Sequence, residues 1–392
     1  MLGMRDKRQR IDANIHQAMV SQGCDAVVTV GSDNFTYMTG VCLPFATHFP
    51  DRMAFGIRTK ERQDWIFCPR DWEEAIQDQG WRERILPYSE MGDLPHGSAI
   101  ESLARALEDL DLQKGSIGID HSRVSFHLMD QLTRRLPQVN WTTFDDFFRA
   151  LRLEKTPEEI ELIETASKHS ELGIIGALNH MEGSMDEFGY TLSEFSERIR
   201  VHAFEAGASG VGHVATLQGV ECQQWYAPPQ GKFRPDHLVR MELTTHFSGY
   251  WSNAARMAFM GQPTQREKES YLKNLYLKQA AEEMFKPEIH CDEIFGQVKR
   301  TAEKEKIDFW EDGGVGHGVG VSEREAPYLN PADRTILKPG MVLVLAIYSY
   351  GPDRQLICSK DTYEILPTGF RLLSWYRNWD RLYAVIGFRA AH

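Results

Sequence analysis

The sequence predicts a mixed fold in two parts: an α/β domain over residues 1–150, then an α+β domain over 151–392 in which long helices cover a large antiparallel sheet. Three observations carry this. Short apolar runs alternate with helical periods through the first half, the pattern of strands interleaved with helices. A helix start at Thr156-Pro-Glu-Glu159 breaks that alternation and marks a boundary near residue 150. Beyond it the strands lengthen, turn back on one another and lie between long helices, as in an antiparallel sheet with helices packed on it.

In chain order, 10–22 has amphipathic helical spacing. Residues 25–30 read as a strand, and Asn34-Phe-Thr-Tyr-Met-Thr-Gly40 closes on a glycine turn. Residues 53–57 and 65–68 read as strands, 99–112 as a helix, 116–119 as a strand and 125–135 as a helix. Thr156 caps a helix with Pro at its first position and Glu159 three residues on, and Ile160, Ile163 and Ala166 follow at helical spacing. Two more capping boxes, Thr191 with Glu194 and Thr264 with Glu267, open helices to about 206 and 285. Residues 238–243 and 250–260 alternate as strands about a turn at Ser248-Gly249, and 341–350 is a nearly continuous apolar strand.

At 392 residues the chain is long enough for two or three domains. With 42% hydrophobic and 26% charged residues it has the composition of a globular protein. The net charge of −12 argues against nucleic acid as a partner, because phosphate binding needs a basic face. No run approaches the length of an apolar membrane span, and the first residues lack an apolar signal core, so no membrane association and a cytoplasmic location are expected. Cys24, Cys42, Cys68, Cys222, Cys291 and Cys358 form no CxxC pair and read as thiols filling the core.

The most distinctive local feature is Gly313-Gly-Val-Gly-His-Gly-Val-Gly320. One histidine among five glycines is hard to attribute to packing, since glycine is used where the backbone turns sharply or approaches a ligand. A phosphate loop is excluded by the lack of a following GK[ST] and helix. His317 is therefore a candidate active-site residue, with a structural hydrogen bond as the alternative.

Together with this loop, three further motifs resemble the pita-bread family of creatinase, prolidase and methionine aminopeptidase. They are Asn34 to Gly40, Arg152-Leu-Glu-Lys155 running into the capped helix, and Gly249-Tyr250 with Arg256. The loop match continues through Glu325-Ala-Pro327 and Pro339-Gly-Met-Val342. The resemblance spans the chain and implies a creatinase-type N-terminal domain followed by a pita-bread domain. It also implies a homodimer, which the residues support only through aromatic density in 34–52 and 375–383.

The family's peptidases hold two metal ions with two Asp, one His and two Glu. The resemblance puts these positions on Glu242, Asn253, His317, Ala346 and Lys360. Two divalent ions need about four carboxylates for charge balance. Only one remains, so no metal and no cofactor is expected. The alternative is a register slip that would let Asp361 replace Lys360, leaving a single ion on Glu242, His317 and Asp361. Creatinase, the metal-free relative, has its catalytic histidine at the position of Tyr226 and its substrate-binding glutamates at Ala255 and Ala346.

His317, Glu242 and Lys360 are thus the expected catalytic trio: a general acid/base, a positioning carboxylate and a group that polarises or binds an anion. Arg324, Asn253, Trp225, Tyr226, His246, Trp251 and Tyr348 are expected around them, with Arg52 as a carboxylate clamp. Two functions remain. One is a metal-independent hydrolase or lyase acting on a C–N bond of a small zwitterionic or carboxylate-bearing compound. The other is a non-catalytic pseudo-peptidase that reuses the cleft for binding.

Overall fold

The computed structural model describes residues 8–43, 52–89, 97–183, 191–374 and 379–386. The chain divides into two compact units, 1–152 and 153–392.

In the first unit the chain runs through α1 (Gln9–Gln22), β1 (Ala26–Thr29), α2 (Ser32–Thr39), β2 (Phe55–Thr59), β3 (Asp64–Pro69), α3 (Glu73–Asp78), β4 (Arg84–Tyr88), α4 (Gly97–Asp109), β5 (Ser116–Ile119), α5 (Phe126–Arg135), β6 (Asn140–Thr143) and α6 (Asp145–Leu153). The strands form one six-stranded sheet in the order β4-β3-β2-β1-β5-β6. The β1–β5, β5–β6 and β3–β4 pairs are parallel, and those through β2 antiparallel. Val28, Phe55, Ile57, Leu103, Leu107 and Leu132 belong to a core with almost no exposure. The stretch ending at Gly40 is a helix rather than a bare turn: Gly40 adopts φ 76° and caps α2. Asn34, on this helix, accepts from Arg152 Nη1 at 2.9 Å, and Asp33 beside it pairs with the same guanidinium at 3.0 Å. Two of the resembling motifs are therefore tied together by a buried ion pair.

The second unit continues with α7 (Pro157–Gly183), α8 (Leu192–Glu205), β7 (Gly210–Gln218), β8 (Leu238–Phe247), β9 (Tyr250–Met260), α9 (Gln265–Glu282), α10 (Cys291–Glu305), β10 (Gly316–Gly318), β11 (Glu325–Tyr328), β12 (Val342–Tyr350), β13 (Leu356–Leu366), β14 (Gly369–Leu372) and β15 (Tyr383–Val385). Its nine-stranded sheet follows β11-β10-β12-β13-β9-β8-β7, with β14 on β13 and β15 on β9. All pairs are antiparallel except β15–β9. The capping boxes at Thr191 and Thr264 close as expected, and Thr156 exchanges bonds with Glu159 at 2.8 and 3.3 Å. Ile174, Leu178, Phe195 and Ile199 pack on Met241, Leu243 and Ala254. Leu277, Ile294 and Val298 pack on Leu343, Leu345 and Tyr363. These cores cover one face of the sheet and leave the opposite face of β8, β9, β12 and β13 to form the site.

All six cysteines are free, and all but Cys42 are buried. No helix among the described residues is long and apolar enough to cross a membrane. Residues 44–51 and 375–378, within the stretches tied to a dimer contact and to the Arg52 loop, lie outside the described residues.

Candidate functional site

The ladder fixes which side chains meet. Thr244 stands opposite Asn253 and Glu242 opposite Ala255. Lys360 pairs with that same Ala255 and, on its other side, with Ala346. Because side chains alternate across a strand, Glu242, Thr244, Asn253, Ala346, Tyr348 and Lys360 share one face.

A cavity of about 310 Å³ opens there. His317, Lys360, Asn253, Arg324, Tyr348, Trp225 and Ala346 line it. So do three glycines of the 313–320 run, together with His213, Trp310 and Glu323, which the sequence reading had not selected.

Glu242 is the hub of the cavity floor. It is 1% exposed and takes the Lys360 ammonium on Oε2, together with the Tyr348 hydroxyl at 2.9 Å. Arg240 Nε stands 3.0 Å from its other oxygen. Burial alone would raise its pKa, but Lys360 and Arg240 reverse this and hold the carboxyl below its usual range. Arg240, two residues before Glu242 and fully buried, also donates to the carbonyls of Gln224 and Trp225 at 2.7 Å, anchoring the segment that carries Trp225. Arg240 was legible in principle: it stands two residues from Glu242 in the otherwise apolar stretch 238–243.

His317 donates from Nδ1 to the Gly318 carbonyl at 2.9 Å, which leaves Nε2 as the basic atom of a neutral ring. Burial pushes its pKa down to about 3 against the Gly318 bond, and Arg324 and Lys360 push the same way. The glycines around it do answer to packing, contrary to the sequence expectation. They form β10 between β11 and β12, and a Cβ at Gly316 would lie 2.3 Å from the Val344 carbonyl oxygen.

Other expected residues fall elsewhere. His246 and Trp251 share the site's face but stand opposite each other two ladder pairs beyond Thr244 and Asn253. There they pack ring on ring at 4.7 Å under β7, where a Cβ at Gly210 would lie 2.1 Å from the imidazole. They are not among the lining residues. Tyr226 is half exposed and packs on His213, with ring centroids 5.8 Å apart, also outside the lining. Arg52 pairs with Asp71 and lies over Trp72 in its own domain. Asp361 points to the other face, where Arg256 holds it at 2.7 Å and Lys278 binds its second oxygen. The Ala346–Lys360 register therefore disposes of the slip that would put Asp361 in the cavity.

The five family ligand positions do not fit a dinuclear metal site. Glu242 is already ion-paired to two cations and accepts from a phenol, Ala346 has no donor atom, and Lys360 puts an ammonium among the donors. Asn253 leaves Oδ1 buried without a hydrogen-bond partner. No cluster of three or more His, Cys, Asp or Glu suited to a metal occurs among the described residues.

Fold and site together define a creatinase-type N-terminal domain followed by a pita-bread domain in which the family's metal-ligand positions are largely substituted. The family models agree: residues 11–153 match the Creatinase/Prolidase N-terminal domain and residues 161–367 match Metallopeptidase family M24. The chain belongs to metallopeptidase family M24. It is 21% identical to an Xaa-Pro dipeptidase of Lactobacillus delbrueckii subsp. lactis over 354 residues, 89% of this chain and 92% of the relative. Its fold matches an X-Pro aminopeptidase from Thermotoga maritima with a TM-score of 0.82 at 15% identity, covering 95% of this chain and 99% of that one. The prolidase from Pyrococcus horikoshii gives 0.78 at 20% identity, covering 94% and 99%.

Proposed function

We propose that the protein is a metal-independent hydrolase or lyase acting on a C–N bond of a small, carboxylate-bearing, amino-acid-like compound. One observation carries this reading. An ammonium, Lys360, and a neutral imidazole, His317, line one cavity at the positions that carry metal ligands in the family's peptidases. The dipeptidase and prolidase names of the relatives support C–N cleavage.

In the hydrolytic form, His317 Nε2 takes a proton from a water as its oxygen adds to the carbon of the C–N bond. The bond then breaks toward nitrogen, which leaves with the proton from the imidazolium. Lys360 has three N–H bonds, of which Glu242 engages one, so the others serve an oxyanion or the substrate's carboxylate. Arg324, at the rim, adds a second cation. The binding-module alternative is weakened by the cavity itself, since a partner gripping the outer surface has no use for a buried imidazole beside a buried ammonium.

The test is turnover of carboxylate-bearing amides and cyclic amidines by protein stripped with EDTA. Expected are activity unaffected by the chelator, a loss of at least about 100-fold in His317→Asn, and no release of amino acid from Xaa-Pro dipeptides. Activity that appears only with added Mn²⁺ or Co²⁺, or none on any substrate of the class, overturns the reading.

A further inference from the structure

We infer that this cavity contains a cation subsite, formed by Glu323 and Thr244 with the rings of His213, Trp225 and Trp310, which seats an ammonium group of the ligand. The inference deepens the proposed function and rests on it for the premise that the cavity receives a small molecule.

The first argument is hydrogen-bond accounting. Thr244 Oγ1 accepts the backbone N–H of His213 at 2.7 Å, and the same hydroxyl bonds the Glu323 carboxylate. A hydroxyl has one hydrogen, so that hydrogen goes to Glu323 and fixes one of its oxygens. The carboxylate keeps further lone pairs in the cavity it lines. Asn253, directly across the ladder from Thr244, lines the same cavity, is 5% exposed and leaves Oδ1 without a donor. Two groups with unmet acceptor capacity meet at one point of the wall and call for a ligand rich in N–H.

The second argument is the lining. His213 stacks on Trp225 at 6.0 Å and 16°. Trp310 stands edge-on to Tyr348, whose ring already has Lys360 at 5.4 Å and Arg240 at 5.8 Å. The rings left for a ligand cation are those of His213, Trp225 and Trp310, and aromatic faces attract cations. Burial lowers the pKa of His213 despite Glu242 nearby, so a neutral imidazole offers no repulsion.

The third argument is charge. Lys360 and Arg240 outnumber Glu242, and Arg324 adds to them, which suits a ligand carboxylate. Glu323 would repel that carboxylate. A ligand bearing an ammonium as well satisfies both, so the substrate class narrows to zwitterions whose amino and carboxyl groups are separated across the cavity.

Isothermal titration calorimetry with two probes of equal length tests this: 5-aminopentanoate and hexanoate, which differ by an ammonium in place of a methyl group. Wild type is expected to bind 5-aminopentanoate about tenfold or more tightly than hexanoate. Glu323→Gln should bring that ratio close to one, with hexanoate bound no more weakly than by wild type, and Glu323→Asp should keep part of it. Equal affinities in wild type, a ratio that survives Glu323→Gln, or no binding of 5-aminopentanoate at millimolar concentration overturns the inference. Because no bond is cleaved in this measurement, failure of the hydrolase reading would not mimic failure of the subsite.

Discussion

Lys360 and Asp361 are neighbours on β13, yet they belong to different buried charge clusters. On the cavity face, Lys360 and Arg240 share one carboxylate, Glu242, and open space lies beside them. On the opposite face, Arg256 binds Asp361 and Glu171 and donates to the Lys360 and Ala255 carbonyls at 2.7 and 2.8 Å. Lys278 holds the second oxygen of Asp361, and Trp379 donates to Glu171 at 3.2 Å. The second cluster closes on itself, with Arg256 and Lys278 met by Asp361, Glu171 and, 3.8 Å from Lys278, Glu282, among groups supplied by α7 and α9. The first has an unmatched cation and a cavity. A buried charge persists only when paired and hydrogen-bonded, so the closed cluster is structural, while the open one leaves room for the ligand proposed above.

The comparison is broken most directly by Lys360→Glu. It restores the family's residue type but sets two acids together, and it should cost about 3–5 kcal/mol in chemical denaturation without added metal. A change within error would mean that the cavity cluster is solvated and carries no special charge. Arg256→Met should fall in the same range of about 3–5 kcal/mol, because Glu171 loses its cation. Lys360→Met should cost less, about 1–3 kcal/mol, since Arg240 and the Tyr348 hydroxyl still serve Glu242. If Lys360→Met proved the costlier of the two methionine variants, the assignment of open and closed clusters would be reversed.

His317 gives a smaller, pH-dependent effect. Its folded pKa lies near 3, below the ordinary 6.5, so the unfolded chain binds the extra proton between those values. Stability should therefore fall as pH drops below about 6.5, by roughly 1–2 kcal/mol between pH 6.5 and 5. His317→Asn should lack that share of the acid limb, and parallel limbs in wild type and variant would contradict the buried neutral ring. The smallest expected effect is none. Millimolar Mn²⁺ should leave the melting temperature of wild type within about 1 °C, whereas a tightly bound ion would raise it by several degrees.

The residues that carry the family resemblance turn out to be largely scaffold. Arg152 holds Asp33 and Asn34. Lys155, from the same motif, forms a buried pair with Glu325 of the glycine-histidine motif at 2.8 Å. Arg256 centres the closed cluster. These pairs hold the same backbone whatever chemistry the cavity supports, which is why they were readable. Among the strands that escaped the sequence reading, β4, β6 and β7 are short or interrupted by glycine and proline, so period-two alternation is weak in them. With β7 went His213, and in the loop before β11 only Arg324, not Glu323, had been singled out.

Composition, capping boxes and motif spacing by themselves determined the two-part α/β and α+β architecture and the long helices that open on capping boxes, because each is a local property of the chain, and the family resemblance carried by those motifs added the substituted metal-ligand positions. Where charged side chains on a strand point, and with whom they pair, is set by register across strands far apart in sequence. Only the tertiary structure therefore decided that Lys360 faces Glu242 while Asp361 turns away to Arg256. It alone moved His246 and Trp251 beyond the cavity and brought Glu323, Thr244 and His213 together at its wall.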